Sequence, residues 1–108
     1  MVITDKDNVI AVSGAPKKEL VEKRISEHVE KMIEKKSIFA IDSGDRGGVP
    51  VVEGSEKYFA GVVAPIVSEG DTIGCVMMVS EHENMPISEV EKKLCQSAAG
   101  FLGKHMEE

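Results

Sequence analysis

Apolar positions along this chain follow different periods in different segments, and each period predicts a different kind of element. The opening "VITDKDNVIAVSG" sets two short apolar runs around Asp5, Lys6, Asp7 and Asn8, the pattern of a β-hairpin. Gly14 and Pro16 then stop the second strand. Across residues 17–36 the charge density is high, yet Leu20, Val21, Ile25, Val29, Met32 and Ile33 recur at helical spacing. Ser26 is a good N-cap, so this segment predicts two short helices rather than one long one. "SIFAID" predicts a short strand and "VPVVEG" another. Pro50 confines the latter to a sheet edge, because proline brings no N–H to a ladder. Between them "SGDRGG", residues 43–48, reads as a flexible connector with three glycines in six residues.

Residues 58–80 predict a second hairpin of another character. Alternation in its first arm sends Tyr58, Ala60, Val62, Ala64 and Ile66 to one face and Phe59, Val63 and Val67 to the other. In the second arm Ile73, Cys75, Met77 and Val79 oppose Val76 and Met78. Neither face is polar. Leaving one in water would forgo roughly 1.5–3 kcal/mol for each large apolar side chain. Antiparallel hairpins usually keep one wet face; these arms must instead be central strands, covered on both sides.

The C-terminal segment supplies one cover. Pro86 suits a first helical turn, and Ser88 with Glu91 matches a capping box. Ile87, Val90, Leu94, Ala98, Phe101 and His105 form one stripe, with Cys95, Ala99, Leu102 and Met106 forming a second beside it. So wide an apolar surface can meet a sheet and another helix together. Leu94, Ala98, Phe101, Leu102 and His105 are therefore the expected interface of a homo-oligomer, most simply a dimer.

At 108 residues the chain is expected to be a single domain, 1–108, an α/β (α+β) unit with one core. Thirteen basic residues against nineteen acidic leave a net charge of −6. Affinity for nucleic acid rests on Lys and Arg neutralising phosphates, so no nucleic-acid contact is expected of this chain itself. Anionic membrane surfaces are excluded by the same sign of charge. No stretch nears the roughly 18 apolar residues of a membrane span, and the first residues lack the basic and apolar regions of a signal peptide. They already read as a strand, as in a domain cut from a longer protein. Cys75 and Cys95 are the only cysteines and form neither a disulfide framework nor a paired metal motif, which points to a reduced, cytoplasmic setting.

Catalytic chemistry finds no constellation. "SGDRGG" lacks the spacing and lysine of a phosphate loop, and Asp42, Gly44 and Arg46 do not supply an EF-hand's oxygen ligands. The three histidines are scattered. His82 lies between two glutamates with no second histidine to complete a metal site, and His105 suits the dipole at a helix C-terminus. Cys75 would need a base or a helix N-terminus to act as a nucleophile; between Gly74 and Val76 in mid-strand it reads as a small buried hydrophobe. Cys95 reads the same way on its helix, and Ser13, Ser43 and Ser68 have no activating partner. No catalytic residue, metal or cofactor is expected.

At the second hairpin the pattern becomes specific. Pro65-Ile66 followed by "SEGDTIGCVMM" resembles the Pro-Ile, Gly, Ile-Gly signature of GAF domains, sensory relatives of PAS domains. "VIAVSGAPKKELVEKRIS" and "SEVEKKLCQSAAGFLGKHME" narrow the resemblance to the C-terminal GAF domains of AbrB-like sporulation transcription regulators. That resemblance covers nearly the whole chain. It implies a central antiparallel sheet with helices on both faces, a regulatory role without enzymatic activity, dimerisation, and a small-molecule pocket. The roof of that pocket would be the helix around residues 26–35 with the loop 42–48, and Phe39, Ile41, Val51, Tyr58 and Val62 would line it. Tyr58 would orient a polar ligand group. The first helix of the fold and the DNA-binding domain would precede residue 1. Two other readings stay open: a cysteine-based redox enzyme, like the GAF proteins that reduce methionine sulfoxide, and a purely structural dimer module.

Overall fold

The computed structural model describes residues 1–13, 17–36, 38–40, 49–54, 57–80 and 88–105. The 43–48 connector, Ile41, His82, Ile87 and Met106 lie outside them. Strands β1 (Val2–Asp5) and β2 (Val9–Val12) form the first hairpin, turned at Asp5, whose carboxylate accepts from the backbone N–H of Asp7 and Asn8 at 2.8 and 2.7 Å. Two helices follow as expected, α1 (Lys17–Leu20) and α2 (Glu27–Lys35). The break between them contains Glu22 in a left-handed conformation and pairs with β2 by backbone bonds from Val9 to Lys23 and from Glu22 to Val9. Ser26 caps α2 by accepting from Val29 N–H at 3.2 Å.

Among the described residues, six strands make one antiparallel sheet ordered β2-β1-β6-β5-β3. The long arms β5 (Phe59–Ser68) and β6 (Asp71–Ser80) stand at its centre. Two short strands share the outer edge of β5: β3 (Phe39–Ala40) opposite Val63 and Val62, and β4 (Val49–Pro50) opposite Ala60 and Phe59. Pro50 sits on that edge, where its missing N–H removes no ladder bond. The C-terminal helix α3 (Glu89–His105) starts at the capping box read from the sequence: Ser88 Oγ accepts from Glu91 N–H at 3.2 Å, and Glu91 Oε1 accepts from Ser88 N–H at 3.2 Å.

The sheet separates two cores. On one side Leu20, Ile25, Val29 and Ile33 pack with Val2, Val51, Tyr58, Ala60, Val63, Cys75 and Met77. On the other, Cys95 and Ala99 of α3 pack on Val62, Ala64, Ile66 and Val76. This corrects the strict alternation expected of the central arms. Ala60 pairs with Val79 and Val62 with Met78, so Gly61 is an extra residue that breaks the register. A second shift, with Ile66 opposite Gly74 and Val67 opposite Thr72, makes Ile73 the extra residue. Tyr58 and Ala60 thus lie on the α2 side while Val62, Ala64 and Ile66 lie on the α3 side. Ile73 likewise joins the α3-side cluster rather than following Cys75 and Met77.

Close backbone approach ties these layers together. A Cβ at Gly74 would overlap the Thr4 carbonyl of β1, and a Cβ at Gly103 would overlap the Val67 carbonyl, so α3 seats directly on β5. Three residues earlier, a Cβ at Gly100 meets nothing within 4 Å. Gly103→Ala is therefore expected to destabilise the fold by about 1–3 kcal/mol. Gly100→Ala should stabilise it by up to about 1 kcal/mol, the helix preference of alanine. Urea denaturation of the two variants checks the pair, and equal effects would contradict the seating of α3 on β5.

Candidate functional site

Two regions were candidates from the sequence, and they lie on opposite faces of the sheet. Under α2, Val51 and Tyr58 come together in the packed core, 0% and 5% exposed, and Val51 N–H donates to the Tyr58 carbonyl at 3.2 Å. The Lys57 ammonium stands 5.5 Å from the centre of the Tyr58 ring, within cation–π range. Val62 is not with them: the Gly61 bulge turns it toward α3. Phe39 is placed in β3 as backbone, opposite Val63, and Ile41 falls outside the described residues.

The second region is α3. Its buried stripe, Cys95, Ala99 and Gly103, faces the sheet. Ala98 and Leu102 are half-buried and pack against the same core. Leu94 and Phe101 are 51% and 68% exposed, in line with Val90 at 67%. Exposed His105 stacks on Phe101, ring centroids 5.7 Å apart and 10° from parallel. The five expected interface residues therefore divide: Leu94, Phe101 and His105 form the outer face, and Ala98 and Leu102 form the shoulder that joins it to the core.

Thiol chemistry has no support in this geometry. Cys75 is 0% exposed on the α2 side, and Cys95, also 0% exposed, belongs to the cluster on the α3 side. Burial pushes the Cys75 thiol from 9.0 up to about 11, against the pull of its 3.2 Å contact with the Thr4 hydroxyl and with a further push from Cys95. Burial also raises Cys95. Both sulfurs remain protonated at neutral pH, the inert state of a structural cysteine. Among the described residues no cluster of His, Cys, Asp or Glu is arranged to hold a metal ion.

One grouping was missed in the sequence. Lys6 and Asp7 of the β1–β2 turn, Glu30 and Glu34 of α2, and Asp71 and Thr72 of β6 converge on a single groove. These residues come from three separate segments, and each charge read alone is a solvated side chain. Only the register of β6 brings them together.

A central antiparallel sheet covered by α2 on one face and α3 on the other is a GAF-like α+β domain, here without a catalytic constellation among the described residues. Residues 1–107 match the family model described as stage V sporulation protein T C-terminal, transcription factor. The chain is 39% identical to stage V sporulation protein T of Bacillus subtilis (strain 168), an alignment that takes in 100% of this chain and 59% of that protein. The chain belongs to the stage V sporulation protein T C-terminal family. It spans about three-fifths of the length of that relative. No helix among the described residues is long and apolar enough to cross a membrane.

The raised Cys75 thiol has a consequence for stability. Its proton is held more tightly in the folded chain than at the ordinary value of 9.0. The resulting stabilisation is complete below pH 9, where folded and unfolded chains both carry the proton. It is lost as pH rises through 9 toward about 11, as the unfolded thiol ionises first. Roughly 2–3 kcal/mol of stability should disappear across that interval. Urea titrations at stepped pH on the natural chain and on Cys75→Val check this. The variant should lose less stability over the interval, and equal slopes would contradict the assignment.

Proposed function

We propose that this domain is the regulatory module of a sporulation transcription factor, non-enzymatic, with self-association through α3 as its output and a small molecule as its input. DNA contact falls to an attached domain, since a chain of net charge −6 is a poor ligand for phosphates. The module works in the cytoplasm, where both of its thiols stay reduced.

The outer face of α3 carries this reading. Among the described residues, Val90, Leu94 and Phe101 are three of the few large apolar side chains more than 40% exposed, and they share one helix. Scattered surface hydrophobes are ordinary, but an aligned set marks an interaction surface. Positions 90, 94, 98, 101 and 105 follow the steps of four and three that make a helix–helix seam. The same patch on a second copy is its natural complement in a two-fold pair, where residue i meets j and j meets i. Open space over Gly100 leaves room for a facing helix to come close. Such pairing suits a regulator, because a two-fold dimer sets the spacing of two attached DNA-binding units on symmetric half-sites.

Sedimentation velocity across a concentration series checks the assembly. The natural chain should show a reversible dimer. Phe101→Asp and Leu94→Glu should weaken it at least about tenfold, because each puts a charge in an apolar seam. Both side chains are exposed in the single chain, so the melting temperature at low concentration should hardly move. A natural chain that stays monomeric at every concentration would overturn the proposal.

A further inference from the structure

We infer that two copies of this chain join with α3 laid antiparallel on the partner's α3, about a two-fold axis that passes between Ser97 and Ala98. This arrangement rests on the proposed self-association through α3 and adds to it which residue meets which. It follows from a symmetry in the seam. Leu94 and Phe101 stand equally far from the midpoint of Ser97 and Ala98, about 5 Å along the helix axis to either side. Val90 and His105 stand about 11 Å to either side. At about 100° per residue, these four and Ala98 fall within an arc of about 80°, so the symmetric positions share one face. Turning that strip end over end onto a copy of itself sets Leu94 level with the partner's Phe101, and Val90 level with the partner's His105.

Size fits this order. The residues nearest the axis, Ser97 and Ala98, are small, and a Cβ at Gly100 meets nothing within 4 Å. The two helices can therefore approach closely at their crossing. On either side of it the smaller Leu94 fills the space beside the partner's Phe101, a ring that is 68% exposed in the single chain. A parallel pair would set each residue against its own copy. Two Phe101 rings, each with His105 stacked on it, would then crowd the same level of the seam.

Charge favours the same orientation. Helix α3 is acidic in its first turn, at Glu89 and Glu91, and basic in its last, at Lys104 and His105. Parallel helices would set like beside like, Glu91 with the partner's Glu91, Lys93 with the partner's Lys93 and Lys104 with the partner's Lys104. Antiparallel helices set Glu91 level with the partner's Lys104, twice in the dimer, and Lys93 level with the partner's Leu102. The two macrodipoles then oppose as well, positive end beside negative end.

Disulfide trapping in the 108-residue chain tests the orientation. Cys75 and Cys95 are buried, so thiols introduced at positions 94 and 101 are the reactive ones. Leu94→Cys and Phe101→Cys chains, one bearing a mass tag, are mixed and oxidised. The mixed disulfide should form at least about tenfold faster than either variant bonds to itself, because only the antiparallel seam brings that pair within disulfide range. A second pair needs no cysteine. Leu94→Glu and Phe101→Lys should each self-associate poorly in sedimentation velocity, yet pair with each other at least about tenfold more tightly than either does alone. The mixed dimer has one opposite-charge contact and keeps the natural contact between Phe101 and Leu94 at the other. Faster self-coupling of Leu94→Cys, or charged variants that fail to rescue each other, would overturn the antiparallel arrangement. A natural chain that still sediments as a dimer would then keep the α3 face and lose this orientation alone, whereas a natural chain monomeric at every concentration would overturn both.

Discussion

The β5–β6 hairpin has no polar face, and water must be kept from both of its sides. Val63, Cys75 and Met77 need a cover on one side, and Val62, Ala64, Ile66 and Val76 need one on the other. Burial of this much apolar surface is the main favourable term available to a chain this small. It fixes where the helices go. Helix α2 brings Val29 and Ile33 to the first side, and α3 brings Cys95 and Ala99 to the second. The N-terminal hairpin completes the sheet by laying β1 against β6, so close that Gly74 has room for no side chain beside Thr4.

Both bulges refine that arrangement. A regular ladder would hold Tyr58 and Val62 on one face, but the extra residue Gly61 sends them to different cores. At the other end of the hairpin, the extra residue Ile73 joins the α3 side and leaves Thr72 facing α2. Bulges bend and twist a strand locally and re-aim the side chains beside them. Here the first takes Val62 away from Val51 and Tyr58, and the second builds the floor of the charged groove.

Helix α3 does two things with one amphipathic pattern. Cys95, Ala99 and Gly103 are small enough for the helix to sit directly on β5, while Val90, Leu94 and Phe101 face away from the core. Both stripes are visible in the sequence as residues of similar hydropathy. What separates them is size: the stripe that meets the sheet is small, because Val67's carbonyl leaves Gly103 no space for a Cβ. The larger side chains are left outside, where they form the candidate docking face.

Sequence alone determined the order of the main elements and several of their ends. The N-cap at Ser26, the capping box at Ser88, the turn at Asp5 and the edge position of Pro50 are local chemistry, settled by residues a few positions apart. The double-sided apolar hairpin likewise dictated two covering layers, since solvent penalises either face. Family membership was legible too, in the Pro-Ile and Ile-Gly pattern around the hairpin turn. Register was not legible, because a strand apolar at every position carries no polar marker to show where alternation slips. Only the assembled sheet decided that Val62 faces α3, that Thr72 is buried without a partner, and that charges from three distant segments share one groove. Those outcomes depend on pairing between strands, a long-range choice that no local stretch of residues encodes.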